Sequence, residues 1–533
     1  MVTVGFTGKH VSGSRRKDVA PERLIDAELL FRNSFRNFKE RGSFVKRLKD
    51  GAGKCVLIEQ FYLVSAVLIF FLAGRCSAFG QTSGASLVAG ENKITPRTAT
   101  YAEAASSPAP NPHASIGNAL TDFPAAEVNK VFPRWLHFSG EYRIRPEEHT
   151  AYSFTPDNND EFVLSRLRLN LEMTPTTWFD AFVQAQDSEA GGISPSHITT
   201  SIKDVFDLRQ AYVQFQNEKN GWIRFRVGRQ ELRYGQERLI GVSDWTNAPR
   251  VFDAFRLVLG TNKNHVDLFS ASVVVNNPVA FDNHVGGMNF HGMYGSFSSL
   301  LPKAHVEPFV FWKALPLVKS EEGTLGNENL WTYGFRLTGQ LPLNFDYTLE
   351  TAKQAGNFSN DTIAAWAGYA NLGYSLPKLR FKPRFLIQYD YASGDDKLKD
   401  GKVGTFDQLY PSNHDVFGLV DLFGWRNIVQ QRAGVEVKPV NRLSVLADFR
   451  DLYVATGNDS LYSSAGAMLV KIPKTGALHR DVGLEPDLSA KYDVRQNITV
   501  GAGYGYLFAG RFLTENSPGD RASIVYTYAT YKF

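Results

Sequence analysis

Arginine recurs at alternate positions along this chain. Arg143 and Arg145, Arg166 and Arg168, and Arg224 and Arg226 form pairs, and Arg336, Arg384, Arg432 and Arg450 hold the same phase in later alternating stretches. Residues two apart in a strand share a face, so these side chains would project together. A guanidinium fork grips a carboxylate through two parallel hydrogen bonds. A ring of such groups around a pore favours anions, and a polymer with a carboxylate on every unit could pass from one to the next. Glu141, Glu172, Asp187, Glu350, Asp390, Glu436 and Asp448 are read on that same inward face. They support a second reading, in which arginine and acid ladders brace the interior of a wide barrel.

Other residue types offer other chemistry. Tyr212 and Trp245 are flat faces on which a sugar ring would stack, although most Trp and Tyr here suit an interfacial girdle better. The long segment Tyr389–Trp425 leaves a strand through Gly394 and carries Asp395, Asp396 and Asp400. These hard oxygens would suit Ca2+ in the 394–400 loop, against the plainer reading of a solvated turn. The run Ser412-Asn413-His414 holds hydrolase residue types, but adjacent loop residues cannot form a catalytic constellation with one another. No metal, cofactor or enzymatic activity is expected beyond these weak signals.

The elements that must position the arginines are strands. Glu161–Met173 alternates from Arg166, with Arg166, Arg168, Asn170 and Glu172 opposed to Leu167, Leu169, Leu171 and Met173. Similar stretches, separated by turn residues, continue from Trp135 to Phe533. About eighteen strands can be drawn, and sixteen if the softer ones fail. The even number suits a transmembrane antiparallel β-barrel of the outer-membrane type, with apolar residues facing lipid and charges facing an aqueous lumen. Outward Tyr389, Tyr391, Tyr504, Tyr506 and Phe508 suit the aromatic girdles. Val525, Thr527, Ala529, Tyr531 and Phe533 fall on one face of a last strand with a terminal aromatic, which fits a closing strand. A soluble sandwich or propeller would have to bury many arginines. A closed barrel has no free edge, so a monomer is expected.

The N-terminal part reads differently. Residues 1–54 are basic and judged non-structural. Residues 55–78 join an apolar run to a small-residue exit, as in a signal peptide, and 79–132 is an Ala/Ser/Thr/Pro-rich linker with a short helical turn near 119–131. Residues 1–78 hold 14 Lys and Arg against 7 Asp and Glu, leaving 44 against 47 in the remainder. The net charge of +4 therefore belongs to the leader and gives no support for nucleic-acid binding. Both cysteines, Cys55 and Cys76, also lie there.

The segments SRLRLNLEM (165–173), LRQAYVQF (208–215), VGRQELRYGQERLIG (227–241) with DWTNAPRVFDAFRL (244–257), and PRFLIQYDYASGDDK to GTFDQLYPSNHD (383–415) resemble the alginate export family of outer-membrane porins. The resemblance spans 135–533. It implies an eighteen-stranded barrel in the bacterial outer membrane that exports an anionic, alginate-like polyuronate through an electropositive constriction. The driving force would come from periplasmic machinery, since the chain has no nucleotide-binding loop. Carried over motif by motif, it points to Arg166, Arg168, Arg209, Arg229 and Arg233. Alternation agrees for the first two but puts Arg209 and Arg229 on the lipid side, unless a bulge re-aims them or they sit at a rim. Two other readings stand beside export: a diffusion porin for small anionic solutes and a barrel-embedded hydrolase.

Overall fold

Alternating stretches become strands because each has one apolar and one polar face, and each strand pairs with its sequence neighbour. The structure is a computed structural model and describes residues 124–533 except 218–220 and 474. The extension 1–54, the signal peptide 55–78 and nearly all of the linker lie outside the described residues. Helix α1 (Ala125–Val131) leads in, and Asn129 ties it to the barrel by accepting the Phe138 N–H at 2.7 Å and donating to the Phe138 carbonyl at 2.8 Å.

The strands are β1 (Leu136–Thr150), β2 (Asp160–Met173), β3 (Phe179–Gly191), β4 (Asp204–Gln216), β5 (Ile223–Gln230), β6 (Phe252–Gly260), β7 (Asn264–Val275), β8 (Asn283–Phe297) and β9 (Ala304–Lys319). They continue through β10 (Leu325–Leu341), β11 (Phe345–Phe358), β12 (Asp361–Ser375), β13 (Arg384–Ala392), the short β14 (Lys402–Val403) and β15 (Ile428–Val440). The chain ends with β16 (Leu443–Tyr453), short β17 (Leu461–Tyr462) and β18 (Met468–Val470), β19 (Asp481–Arg495), β20 (Ile498–Ala509), helix α2 (Arg511–Asn516) and β21 (Ala522–Lys532). One sheet of 19 strands results, in which β14 joins only as a parallel bridge to β12. The other eighteen form an antiparallel ring, closed where β21 pairs with β1 from Glu141↔Lys532 to Thr150↔Ser523. The sequence-based count of eighteen is the observed one.

The two ends differ. One carries short turns, such as 441–442 and 496–497; the other carries the long connections 231–251, 393–427 and 454–480. These loops turn inward. Leu232, Leu239 and Ile240 from the first, and Phe406, Phe417, Phe423 and Trp425 from the second, share a buried cluster with wall residues Phe252, Phe269, Phe290 and Phe311. Part of the inner wall is therefore apolar, because β6–β9 carry Phe and Ala at the phase where other strands carry arginine.

The closing seam depends on one close approach. The Phe533 N–H donates to the Gly140 carbonyl at 3.0 Å and the Gly140 N–H to the Phe533 carbonyl at 2.7 Å. The Phe533 ring lies across the outer face beside Phe138, with centroids 6.2 Å apart, in the space a Cβ on Gly140 would occupy. Replacing Gly140 by Leu should displace that ring at a cost of about 1–3 kcal/mol. The fraction of purified barrel that resists unfolding in SDS measures it, and wild-type resistance would show that the ring does not seal the seam.

Candidate functional site

The wall of β1–β3 holds an inward-folded loop through guanidinium groups. Arg143 donates to the carbonyls of Asp244, Trp245 and Thr246 at 3.0, 3.0 and 2.9 Å. Arg166 donates to the Asp244 carbonyl at 2.9 Å and to Glu141 at 2.8 Å. Arg168 reaches the Asp244 carboxylate at 2.7 Å and Gln186 at 2.7 Å. Asn247 completes the attachment with bonds to the Ser165 and Glu189 carbonyls at 2.9 and 3.0 Å. A hydrogen bond to a charged donor contributes about 1.5–3 kcal/mol, so five such bonds offset the entropy of ordering the four residues 244–247, at about 1–2 kcal/mol each.

The other end of that loop is fixed by Arg209. Strands β3 and β4 slip in register between Gln184 and Ala185, whose partners are Gln210 and Leu208. Arg209 is the extra residue. The bulge turns it inward, buried, onto Gln184 at 2.6 Å and Glu231 at 2.7 Å. Strict alternation had put it on the lipid side, and the bulge is the physical reason that fails. Arg233 joins the network through Glu231 at 2.8 Å and Glu237 at 2.7 Å.

Arg229 sits elsewhere. It pairs with Asp253 at 2.9 Å, with His284 on the other side of that carboxylate at 3.0 Å. Asp253 lies opposite Ser272, on the face that also presents exposed Phe255. Arg229 is thus an outer-face ion pair at the long-loop end of β5 and not a lumen arginine, because no bulge intervenes in the β5–β6 register. Asp187 is likewise corrected. Gln184, Gln186 and Ser188 take the buried interior phase of β3, leaving Asp187 on the other face.

The remaining arginines are on the interior face, and most hold a carboxylate. Arg336 pairs with Glu307, Arg384 with Asp346, Arg432 with Asp448 and Arg450 with Asp415, Asp448 and Asp487. Arg226 donates to Gln214 at 2.7 Å and lies over the Tyr212 ring at 4.1 Å; Arg224, two residues earlier, shares its face. Arg238, absent from the sequence-based set, pairs with Asp390 at 2.6 Å over the Tyr369 ring. It lies inside a loop, where no period marks it.

Several loop residues take roles other than those their types suggested. Both faces of Trp245 are occupied, by the Arg145 guanidinium at 3.8 Å and the His414 ring at 3.7 Å, so no sugar stacks on it in this arrangement. Ser412 donates to Glu237 at 2.6 Å while His414 bonds Asp421 at 2.6 Å; the two are committed to different acids. Asp395 accepts the Lys397 and Gly404 N–H groups at 3.0 Å each, and Asp400 accepts the Lys402 N–H at 2.9 Å. The carboxylates of Asp395 and Asp400 shape turns in the backbone, the Asp396 carbonyl accepts from Asn458 at 3.0 Å, and no group of three or more His, Cys, Asp or Glu is placed to hold a metal among the described residues.

Beside the clamped loop lies a cavity of about 630 Å3. Its charged lining is Glu141, Arg143, Arg166, Arg233, Glu237, Arg238, Asp244, Asp346, Arg384, Asp415, Arg432, Glu436, Lys491 and Lys532. Basic groups outnumber acids there only slightly.

A closed barrel with an outer face of exposed Leu, Phe, Ile and Trp, an inner face of paired charges and loops folded into the lumen defines a porin-type channel. The chain belongs to the alginate export family, whose model matches residues 134–527. None of the curated proteins matches the sequence. Among solved structures, the fold is similar to Acinetobacter baumannii OccAB2, at 10% identity and TM-score 0.51 over 74% of this chain and 98% of that one. It is also similar to Pseudomonas aeruginosa OpdQ, at 12% identity and TM-score 0.51 over 75% and 97%, and to P. aeruginosa OccD3 (OpdP), at 12% and 0.50 over 75% and 91%. At such identities the likeness is one of fold. Family and fold make the protein a channel and not an enzyme.

Burial pushes the Asp244 carboxyl up, but Arg168, Arg166, Arg209 and Arg233 outweigh it and hold the group well below the usual carboxylate range. Glu231 behaves alike, with burial opposed by Arg209 and Arg233, and falls to about 2. A depressed native pKa gives stability that is complete above the unfolded value of about 4.3 and is lost as pH falls through the native value. The loop should therefore stay clamped from neutral pH to about pH 4 and release only as pH approaches about 2; bilayer conductance that rises already near about pH 5–6 would contradict this. Replacing Asp244 by Asn should loosen the loop at neutral pH. The Asp244 side chain is 41% exposed, so the loss is about 1–2 kcal/mol, or roughly 5–30-fold in the opening equilibrium, read as open probability in single-channel records.

Proposed function

We propose that this chain is an outer-membrane channel that exports an anionic exopolysaccharide of the polyuronate class, with the signal peptide at 55–78 directing it across the inner membrane and 1–54 playing no structural part. The observation that carries this reading is the lumen cavity of about 630 Å3 whose wall combines Arg143, Arg166, Arg233, Arg238, Arg384 and Arg432 with Lys491 and Lys532. Its size lies within the range of about 300–1,000 Å3 that takes an extended organic ligand, here a short run of sugar rings. Family membership supports the same reading. Most of these arginines already hold a protein carboxylate, so a polymer carboxylate would exchange for one that is present. Such exchange keeps each guanidinium paired while the displaced protein carboxylate turns to lumen water, and that cost keeps the polymer from binding too tightly to move.

The closed loop supports a gated exporter over an open pore. Displacement of residues 244–247 would be driven by polymer delivered from periplasmic machinery. A closed barrel leaves no strand edge, which suits a monomer in outer-membrane lipid. The alternative, a diffusion porin for small anions, draws on the near balance of acids and bases in the cavity.

Planar-bilayer recording of the purified barrel separates the two readings. Anion-selective current blocked from one side by polymannuronate supports export; anion selectivity with no block supports the small-solute porin. Replacing Arg384 or Lys491 by Gln should weaken the block roughly fivefold each, at about 1 kcal/mol for each partly exposed charge. An unchanged block would remove these side chains from the polymer path.

A further inference from the structure

Two carboxyls on β19 are buried without enough positive charge around them. Glu485 is 0% exposed and Asp487 6%. Two apart on one strand, they project together into the barrel. Glu485 Oε1 accepts the Val420 N–H at 2.9 Å, and Asp487 Oδ2 accepts the Leu419 N–H at 3.3 Å and pairs with Arg450. One oxygen on each, Glu485 Oε2 and Asp487 Oδ1, has no partner, and the two carboxyls lie within hydrogen-bonding reach of each other.

The groups that face them come from four elements. β16 presents Arg450 opposite Glu485 and Asp448 opposite Asp487. β15 presents Arg432, which holds Asp448 at 3.0 Å. The 393–427 loop brings Asp415, held by Arg450 at 2.6 Å. β20 offers only Gly505 beside Asp487. Four carboxyls thus share two arginines, and Glu485 makes no ion pair of its own among the described residues.

A buried ionised carboxylate without a partner is strongly unfavourable. One proton removes the difficulty twice over: the O–H of one carboxyl donates to the free oxygen of the other, and one negative charge disappears. We infer that Glu485 and Asp487 share a proton, and that this proton holds loop residues 415–420 against the barrel wall. Gly418, at φ +112°, lies directly on the Glu485 carboxyl, where any Cβ would overlap it. The loop depends on that carboxyl staying neutral. His414, on the same loop, stacks on Trp245, so movement here loosens the clamped loop as well. Loss of the proton to hydroxide places like charges side by side beneath residues 418–420, and the channel opens on the alkaline side. The inference holds whichever anion uses the channel.

Infrared spectroscopy of the full barrel tests it directly. Wild type should show the C=O stretch of a protonated, buried carboxylic acid at neutral pH. That band should vanish, and single-channel open probability rise, together as pH is raised into the alkaline range. Glu485→Gln, which keeps a neutral donor, should lack the band and lose the alkaline rise. Absence of the band in wild type, its persistence in Glu485→Gln, or an alkaline rise in that variant would overturn the inference. If Glu485→Gln does not fold, Asp487→Asn carries the same test with the same outcomes.

Discussion

Everything in this structure depends on the ring of backbone hydrogen bonds that closes where β21 meets β1. A strand edge left open in hydrocarbon would expose a row of N–H and C=O groups, each at a cost of several kcal/mol. Closure by the pairs Glu141↔Lys532 to Thr150↔Ser523 removes the edge. It also divides the side chains, by their alternation, into an outer set that meets lipid and an inner set that does not. The terminal ring of Phe533 over Gly140 belongs to this constraint, because the seam holds only where the backbones come close enough to pair.

An eighteen-strand ring is too wide for its own side chains to fill, and this protein fills it in two ways. Where β6–β9 offer Phe and Ala, the loops 231–251 and 393–427 bring Leu232, Ile240, Phe406 and Trp425 to meet them. Where β1–β3 and β13–β19 offer charges, the loops bring carboxylates and carbonyls. Asp244 beneath Arg166 and Arg168 and Asp415 against Arg450 follow one rule, since a guanidinium in a confined interior must find an acceptor. A consequence is that the lumen carries little net field. The anion preference proposed for this channel would come from exchange at particular forks and not from a bare positive ring.

The same accounting makes the loops conditional. If the inferred shared proton is present, they stay folded inward only while the charges beneath them balance, at Glu231 and Asp244 on one side and at Glu485 and Asp487 on the other. Under the proposed function, such a channel would open when something supplies competing charge, whether a polymer carboxylate or a change in protonation. Apolar packing around Trp425 and Phe417 gives the plug its rigidity, while the ionic contacts give it a response.

Period-two alternation, with the aromatic girdles and the closing strand, pointed from sequence alone to the barrel, to about eighteen strands with sixteen still open, and to the inward phase of Arg166, Arg168, Arg384, Arg432 and Arg450. The reason is that membrane and lumen impose opposite solvents on successive residues, and that contrast is written residue by residue. What the tertiary structure alone decided are the places where the chain leaves the period. The bulge that turns Arg209 inward depends on how β3 and β4 align, and the outward placement of Arg229 and Asp187 on which neighbours share their phase. The covering of both Trp245 faces and the insertion of Arg238 depend on loops folding back across the lumen. Loop residues carry no periodic signal, and their partners stand far away in sequence: Asp244 meets Arg166, and Ser412 meets Glu237, only once the ring has closed around them.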